Sequence, residues 1–293
     1  MTIADPVSDR LLQSTARHAY DPVVDLDWDA PLEDGLWFMR PERMSLYGTA
    51  LWEQLSEEQR IELSRHEVAS ISSVGLWFEL ILMQMMIRDL YDADPRTQRM
   101  HYALTEVGDE CRHSLMFGKA IDRCGVPAYG PAPRIHRLGR LFKTIGVGVS
   151  AYASILVAEE ILDRWQRELI KDERVQPLVR MVSRVHVLEE ARHMAFAREE
   201  VERMLPELTK PKRAWHQVLL AQTSFMVARA LVNPQIYAAV GLDPTEARRA
   251  ALGNPHYQET MAWMGERVTG YLDDLGLIPA HQCGLWRRSL LMR

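Results

Sequence analysis

Cysteine is scarce. Cys111, Cys124 and Cys283 are the only three in 293 residues, and they make no CxxC or zinc-ligand spacing. They suggest no disulfide framework, and a reducing cytoplasm is the natural home for such a chain. Basic runs are missing too. With 35 basic against 40 acidic residues and a formal charge of −5, the chain carries no footprint for nucleic acid. No run of 18 uncharged apolar residues appears, so no membrane span is expected. The opening Met1-Thr-Ile-Ala-Asp-Pro-Val7 lacks the basic and apolar regions of a signal peptide. Strand patterning is absent as well, which leaves an all-α reading. A Gly-x-Gly-x-x-Ala match at Gly146–Ala151 follows no strand and is better explained as close helix contact. His66-Glu67 lacks the second histidine of HExxH, which weakens any zinc hydrolase reading.

What the chain does have is a repeated pair of motifs. Glu110-Cys111-Arg112-His113 and Glu190-Ala191-Arg192-His193 are both Glu-x-Arg-His, and they lie 80 residues apart. A carboxylate and an imidazole three positions apart share one helical face, with Cβ atoms about 5–6 Å from each other. That suits two ligands of one ion. Each motif is preceded by a glutamate at the same interval of 31 residues, Glu79 before Glu110 and Glu159 before Glu190. Glu79 sits in the otherwise apolar stretch Gly75–Ile87, and Glu159 follows Tyr152–Ala158. Carboxylates in such surroundings need a metal or a paired cation. Two Glu-x-x-His motifs plus two single glutamates from four helices are the ligand set of a dinuclear site in a four-helix bundle.

His186 falls four residues before Glu190 and seven before His193, on the same helical stripe, and offers a seventh ligand. Its counterpart in the first repeat is Glu106, placed outside the ligand set. Asp109, Glu160 and Glu189 neighbour ligands in sequence but point away around the helix, toward arginines such as Arg112, Arg164 or Arg192.

Along the chain, residues 1–45 read as an extended arm with little regular structure. A Ser56-Glu-Glu-Gln59 capping box opens a helix to about Arg65. Further helices are expected at about 67–91, 95–124, 136–171, 174–204, 211–232 and 254–275. Residues 67–204 make the metal-binding four-helix core and 211–275 the accessory helices of a single domain, 1–293.

The pattern Glu79, Glu110-x-x-His113, Glu159, His186-x-x-x-Glu190-x-x-His193 resembles the di-iron p-aminobenzoate N-oxygenase family, whose mark is that third histidine. The resemblance extends from about Leu46 to Pro244. It implies a ferritin-like bundle, two iron ions (or a manganese–iron pair) and dioxygen as co-substrate. It also implies an amine, of arylamine type, oxidised toward hydroxylamine, nitroso or nitro products. With no flavin or Fe–S motif in the chain, an external ferredoxin or reductase is implied as electron donor, and a homodimer is the family expectation. A carboxylated arylamine needs a cationic anchor, and Ser70–Gly75 before Glu79 offers none. The other readings are a C–H hydroxylase or desaturase on an apolar or carrier-bound substrate, and a ferritin-like ferroxidase or iron store. A radical-generating reductase subunit is disfavoured by Phe117, one turn beyond His113, where that class places tyrosine.

Overall fold

The computed structural model describes residues 5–293, so the first four residues of the expected arm lie outside the described ones. In chain order the helices are α1 (Pro6–His18), α2 (Ala50–Glu53), α3 (Glu57–Leu90), α4 (Gln98–Cys124), α5 (Pro133–Ile145) and α6 (Gly148–Leu169). They continue as α7 (Pro177–Met204), α8 (Lys210–Ala230), α9 (Pro244–Gly253), α10 (Pro255–Asp274) and α11 (Cys283–Ser289). Among the described residues there is no strand, only a bridge between Trp37 and Val175. The fold is an all-helical, ferritin-like bundle. Its centre is two antiparallel pairs, α3 with α4 and α6 with α7, and each pair carries one copy of the repeated motif.

Local chemistry sets the helix limits. Ser56 and Gln59 make the reciprocal capping box that opens α3. Thr97 caps α4, and Gly125 closes it in the left-handed conformation, at φ 65°.

Three expectations fail. The helix opened at Ser56 does not stop at Arg65. No proline or glycine interrupts the chain there, so α3 runs unbroken for 34 residues. The helix expected over 136–171 is instead two, because Gly146 and Gly148 break it and Gly148 adopts φ 50°. The arm is not merely extended. Asp5 caps α1 by accepting from Ser8 N–H at 3.0 Å, Pro6 suits its first turn, and the helix packs on α4 and α7. The sequence reading also passed over α9 and α11, which are short.

One helix among the described residues, Glu57–Leu90, is long and apolar enough by composition to cross a membrane. In the bundle, 56% of its apolar window is buried. α5 crosses it at Gly139, where any side chain would run into Trp77.

Away from the bundle centre, Glu67 ties the N-terminal segment to α3. Its carboxyl accepts from Ser45 N–H at 2.9 Å and bonds Ser45 Oγ at 3.0 Å, and Ser45 Oγ meets Tyr237 OH at 2.9 Å. Burial pushes the Glu67 carboxyl up to about 7, against the lowering effect of the Ser45 bonds. The folded chain therefore favours the neutral acid. That contribution is complete below the ordinary carboxyl range and is lost as pH rises through about 7. Glu67→Gln is accordingly expected to match the wild type near pH 4.5 and to be more stable by about 3 kcal/mol at pH 8. Urea unfolding at the two pH values checks this.

Candidate metal centre

The four central helices bring all seven expected ligands together. Glu79 comes from α3, Glu110 and His113 from α4, Glu159 from α6, and His186, Glu190 and His193 from α7. Each is no more than 2% exposed. Their ligand atoms form four overlapping groups, each within 4.8 Å: Glu110–His113–Glu190–His193, Glu79–His113–His186, Glu159–His186–Glu190 and Glu79–Glu110–Glu159.

The donor chemistry fits two divalent ions. Glu79 Oε2, Glu110 Oε1, Glu159 Oε2, Glu190 Oε2 and His186 Nε2 are buried and make no hydrogen bond. Native proteins seldom leave so many polar atoms unpaired, and a cation at their meeting point satisfies them together. Four carboxylates also balance the charge of two divalent cations.

Without a cation the cluster must hold protons. Burial, then the neighbouring Glu110 and Glu190, raises Glu79 well above the ordinary carboxyl range. Burial and the Glu190, Glu79 and Glu110 carboxylates do the same to Glu159. Burial acts to raise Glu110 and Glu190 as well, yet His193 and His113 outweigh it and hold both down. Burial acts to lower His113, but its hydrogen bonds to the Glu110, Glu189 and Glu190 carboxylates raise it well above its usual value. A metal ion replaces these protons.

The three histidines present different nitrogens. His113 Nδ1 faces Glu110 Oε2 and Glu190 Oε1, both at 3.0 Å. His193 Nδ1 faces Glu110 Oε1 at 3.0 Å and Glu190 Oε1 at 3.2 Å. His186 is reversed. Its Nδ1 bonds Gln166 Oε1 at 2.9 Å, and its Nε2 lies 3.7 Å from Glu79 and 3.5 Å from Glu190. Burial pushes His186 down to about 4, so it is neutral with Nε2 free to donate its lone pair.

Asp109 and Glu189 do more than pair with arginines. His113 Nε2 bonds Glu189 Oε2 at 2.9 Å, and His193 Nε2 bonds Asp109 Oδ2 at 3.2 Å. Each motif thus steadies the histidine of the other, through residues that are themselves 80 positions apart. Arg112 pairs with Asp109 as expected, and Arg192 lies 3.5 Å from Glu189 and 3.7 Å from Asp109. Glu160 pairs with Arg198, not Arg164; Arg164 reaches Glu266 at 2.7 Å instead. The arm contributes a bond that sequence reasoning missed: Tyr20 N–H donates to Glu189 Oε1 at 3.0 Å. A backbone donor 169 residues away leaves no local signal in the sequence. Glu106 is fully buried with neither oxygen hydrogen-bonded, and it stands outside the four ligand groups.

A chamber meets the cluster through Gln166 and Phe117, which touch His186, while none of the seven ligands lines it. Its wall includes Ser72, Phe117, Trp165, Gln166, Val182 and Ser183, and no charged side chain. Phe117 lies 4.9 Å from the His186 ring. Its free volume is about 30 Å³, room for one water, so a larger guest enters by displacing side chains. Leu26 and Trp28 of the arm pack with Phe117 and Val182 over this region. A second apolar cavity, between Trp77, Phe78, Ile155 and Ala158, flanks Glu79 and Glu159 and is equally free of charge. A surface groove near Arg43, Trp263 and Arg293 is lined neither by the ligands nor by side chains bonded to them.

The 80-residue offset explains why the chamber's counterpart, a cavity between Met85, Met86, Gly148 and Tyr152, holds only about 10 Å³. The counterparts of Ser72 and Val182 are Tyr152 and Tyr102, and the counterpart of Met116 is Phe196. These three rings pack together on the other side of the cluster, Tyr102 at 4.8 Å and Tyr152 at 6.1 Å from Phe196.

A buried pair of Glu-x-x-His motifs with two further glutamates and a third histidine, in a ferritin-like bundle, defines the class of dinuclear carboxylate proteins. Within that class, the model of the P-aminobenzoate N-oxygenase AurF family matches residues 4–276, and the chain belongs to this family of di-iron ferritin-like oxygenases. Similar proteins include uncharacterized protein Rv0885 of Mycobacterium tuberculosis, 26% identical over 287 residues that cover 94% of this chain and 84% of the relative. Uncharacterized protein Mb0909 of Mycobacterium bovis matches to the same extent, at 26% identity with the same coverage.

Asp109→Asn and Glu189→Gln are each expected to weaken metal binding by roughly 10–100-fold, because the histidine orientation loosens while every ligand remains. Competition with a chelator measures it. Metal loading is expected to raise the thermal midpoint and chelation to reverse the rise, with about 2.7 kcal/mol gained at a free metal concentration one hundred times Kd.

Proposed function

We propose that this chain is a di-iron monooxygenase that N-oxygenates an uncharged amine of arylamine type. The observation that carries the reading is the chamber beside His186 and Phe117, which adjoins the cluster and has no cation in its wall. Family membership supports oxygenase chemistry, and the chamber lining supports the amine class. p-Aminobenzoate carries a carboxylate, which costs several kcal/mol to bury without a charged partner. An amine without that group fits an apolar wall with a few polar atoms such as Ser72, Ser183 and Gln166.

Glu79, Glu110, His113, Glu159, His186, Glu190 and His193 would hold two irons; mixed oxygen and nitrogen ligands suit both ferrous and ferric states, and the irons would supply the reduction of dioxygen. The chain's own work is placement. Asp109 and Glu189 fix the ring planes of His193 and His113 through their outer nitrogens. Gln166 holds the proton of His186 on Nδ1, so that Nε2 faces the cluster. Phe117 and the arm residues Leu26 and Trp28 keep bulk water from the side where an amine nitrogen approaches. An external ferredoxin or reductase supplies electrons, and a reducing cytoplasm accommodates the three free cysteines.

The second reading, hydroxylation or desaturation at carbon, draws on the same apolar walls. Metal analysis followed by reduction and stopped-flow mixing with dioxygen separates the two. About two irons per chain, with an oxidised species that decays faster with aniline-type amines than with p-aminobenzoate, is the expected result. Indifference to every amine moves the reaction to C–H bonds, and a single zinc overturns both readings.

Ser72→Tyr, which places in the chamber the residue that the second repeat carries there, is expected to raise KM for the amine at least about ten-fold, or ~1.4 kcal/mol of lost contact. Iron content should stay unchanged. Steady-state kinetics with metal analysis tests it.

A further inference from the structure

The aromatic side of the cluster carries features that amine oxidation does not use. Phe196 lies one turn beyond His193 on α7, and both Tyr102 and Tyr152 pack against its ring. All three are no more than 2% exposed. The two tyrosines differ in one respect that matters for electron transfer. Tyr102 OH is buried without any hydrogen-bond partner. Tyr152 OH donates to Asp89 Oδ2 at 2.9 Å. A phenol loses an electron readily only if its proton has somewhere to go, and Tyr152 alone has a carboxylate in place to receive it. Asp89 in turn reaches the surface. It is 31% exposed and lies 3.2 Å from Arg99, itself 23% exposed and bonded to Glu200.

From this geometry we infer that Tyr152, bridged to the cluster by Phe196, is a one-electron relay that discharges the oxidised centre when no amine is bound. The inference rests on the di-iron reading above. The oxidant is the dinuclear centre after reaction with dioxygen. One electron passes from Tyr152 across Phe196 to that centre, which is reduced by one. The phenolic O–H bond of Tyr152 breaks, and its proton forms a new O–H bond on Asp89. The product is a neutral tyrosyl radical beside a protonated carboxyl, and one electron from the external ferredoxin or reductase, delivered at the Asp89–Arg99 surface, restores the phenol as the proton returns from Asp89. The relay occupies the side of the cluster opposite the chamber, so the two routes for oxidising equivalents do not compete for space.

The test uses the iron-loaded full chain, reduced chemically and mixed with dioxygen without amine. Samples are freeze-quenched over a time course and read by electron paramagnetic resonance, with iron oxidation followed in parallel. A tyrosyl radical is expected in the wild type. Tyr152→Phe, which removes one oxygen atom, should abolish it. Asp89→Asn should abolish or strongly reduce it, and Tyr102→Phe should leave it in place. Adding an amine that is turned over should suppress it. Oxidation of the iron without any radical overturns the relay and leaves the di-iron reading intact, as does a radical that survives in Tyr152→Phe or vanishes only in Tyr102→Phe. Failure of the chain to load iron, or of the ferrous chain to react with dioxygen, overturns the di-iron reading and the relay with it.

Discussion

Four glutamates meet, almost wholly buried, at the centre of this bundle, and that single electrostatic problem dictates the rest of the molecule. Carboxylates crowded in a medium of low dielectric cannot all ionise. Part of the answer is visible in how the four divide: Glu79 and Glu159 are driven toward the neutral acid, whereas Glu110 and Glu190 stay charged beside protonated histidines. Such an arrangement is a cost when empty of cations and a site when they are present. Seven ligands, five of them contributing atoms with no hydrogen bond, have no evident use in packing. They are explained by what they would coordinate.

A cluster of this kind needs more than ligands, since a loosely held imidazole defines no geometry. The crossed arrangement of Asp109 with His193 and Glu189 with His113 couples the two helix pairs. Shifting α4 against α7 would break both bonds together. The arm adds a third tie through Tyr20 and Glu189. N-terminal residues therefore reach into the centre, although little in their own sequence shows it.

The seven clustered side chains were legible because metal-ligand chemistry imposes spacing. The interval of three within each motif, 31 between partners and 80 between repeats survives as plain arithmetic in the sequence. Helix identity was legible for the same reason, through apolar periodicity and punctuation by Ser56, Gly125 and the prolines. Helix breaks and joins were not. The bend at Gly146–Gly148 depends on backbone angles, and α3 passes Arg65 because nothing there stops it. Asp109 and Glu189 were misplaced in part. Both do face arginines, but a carboxylate has two oxygens, and the second of each turns inward to a histidine on another helix. A helical wheel considers one helix at a time and cannot register that.

The duplication also shows how a nearly symmetric scaffold becomes directional. A cluster held by equivalent helix pairs would present two equivalent faces. Here His186 stands where the first repeat has Glu106, which adds a nitrogen donor on one side and leaves an unpaired carboxyl on the other. On the His186 side, Ser72 and Val182 leave space. Opposite, Tyr152 and Tyr102 take up most of it and leave a smaller cavity. Exchanges between repeats widen one face and narrow the other, while the interlocked carboxylate–histidine pairs keep the centre itself close to symmetric. The repeats therefore share the carboxylate–histidine cluster and differ in what surrounds it.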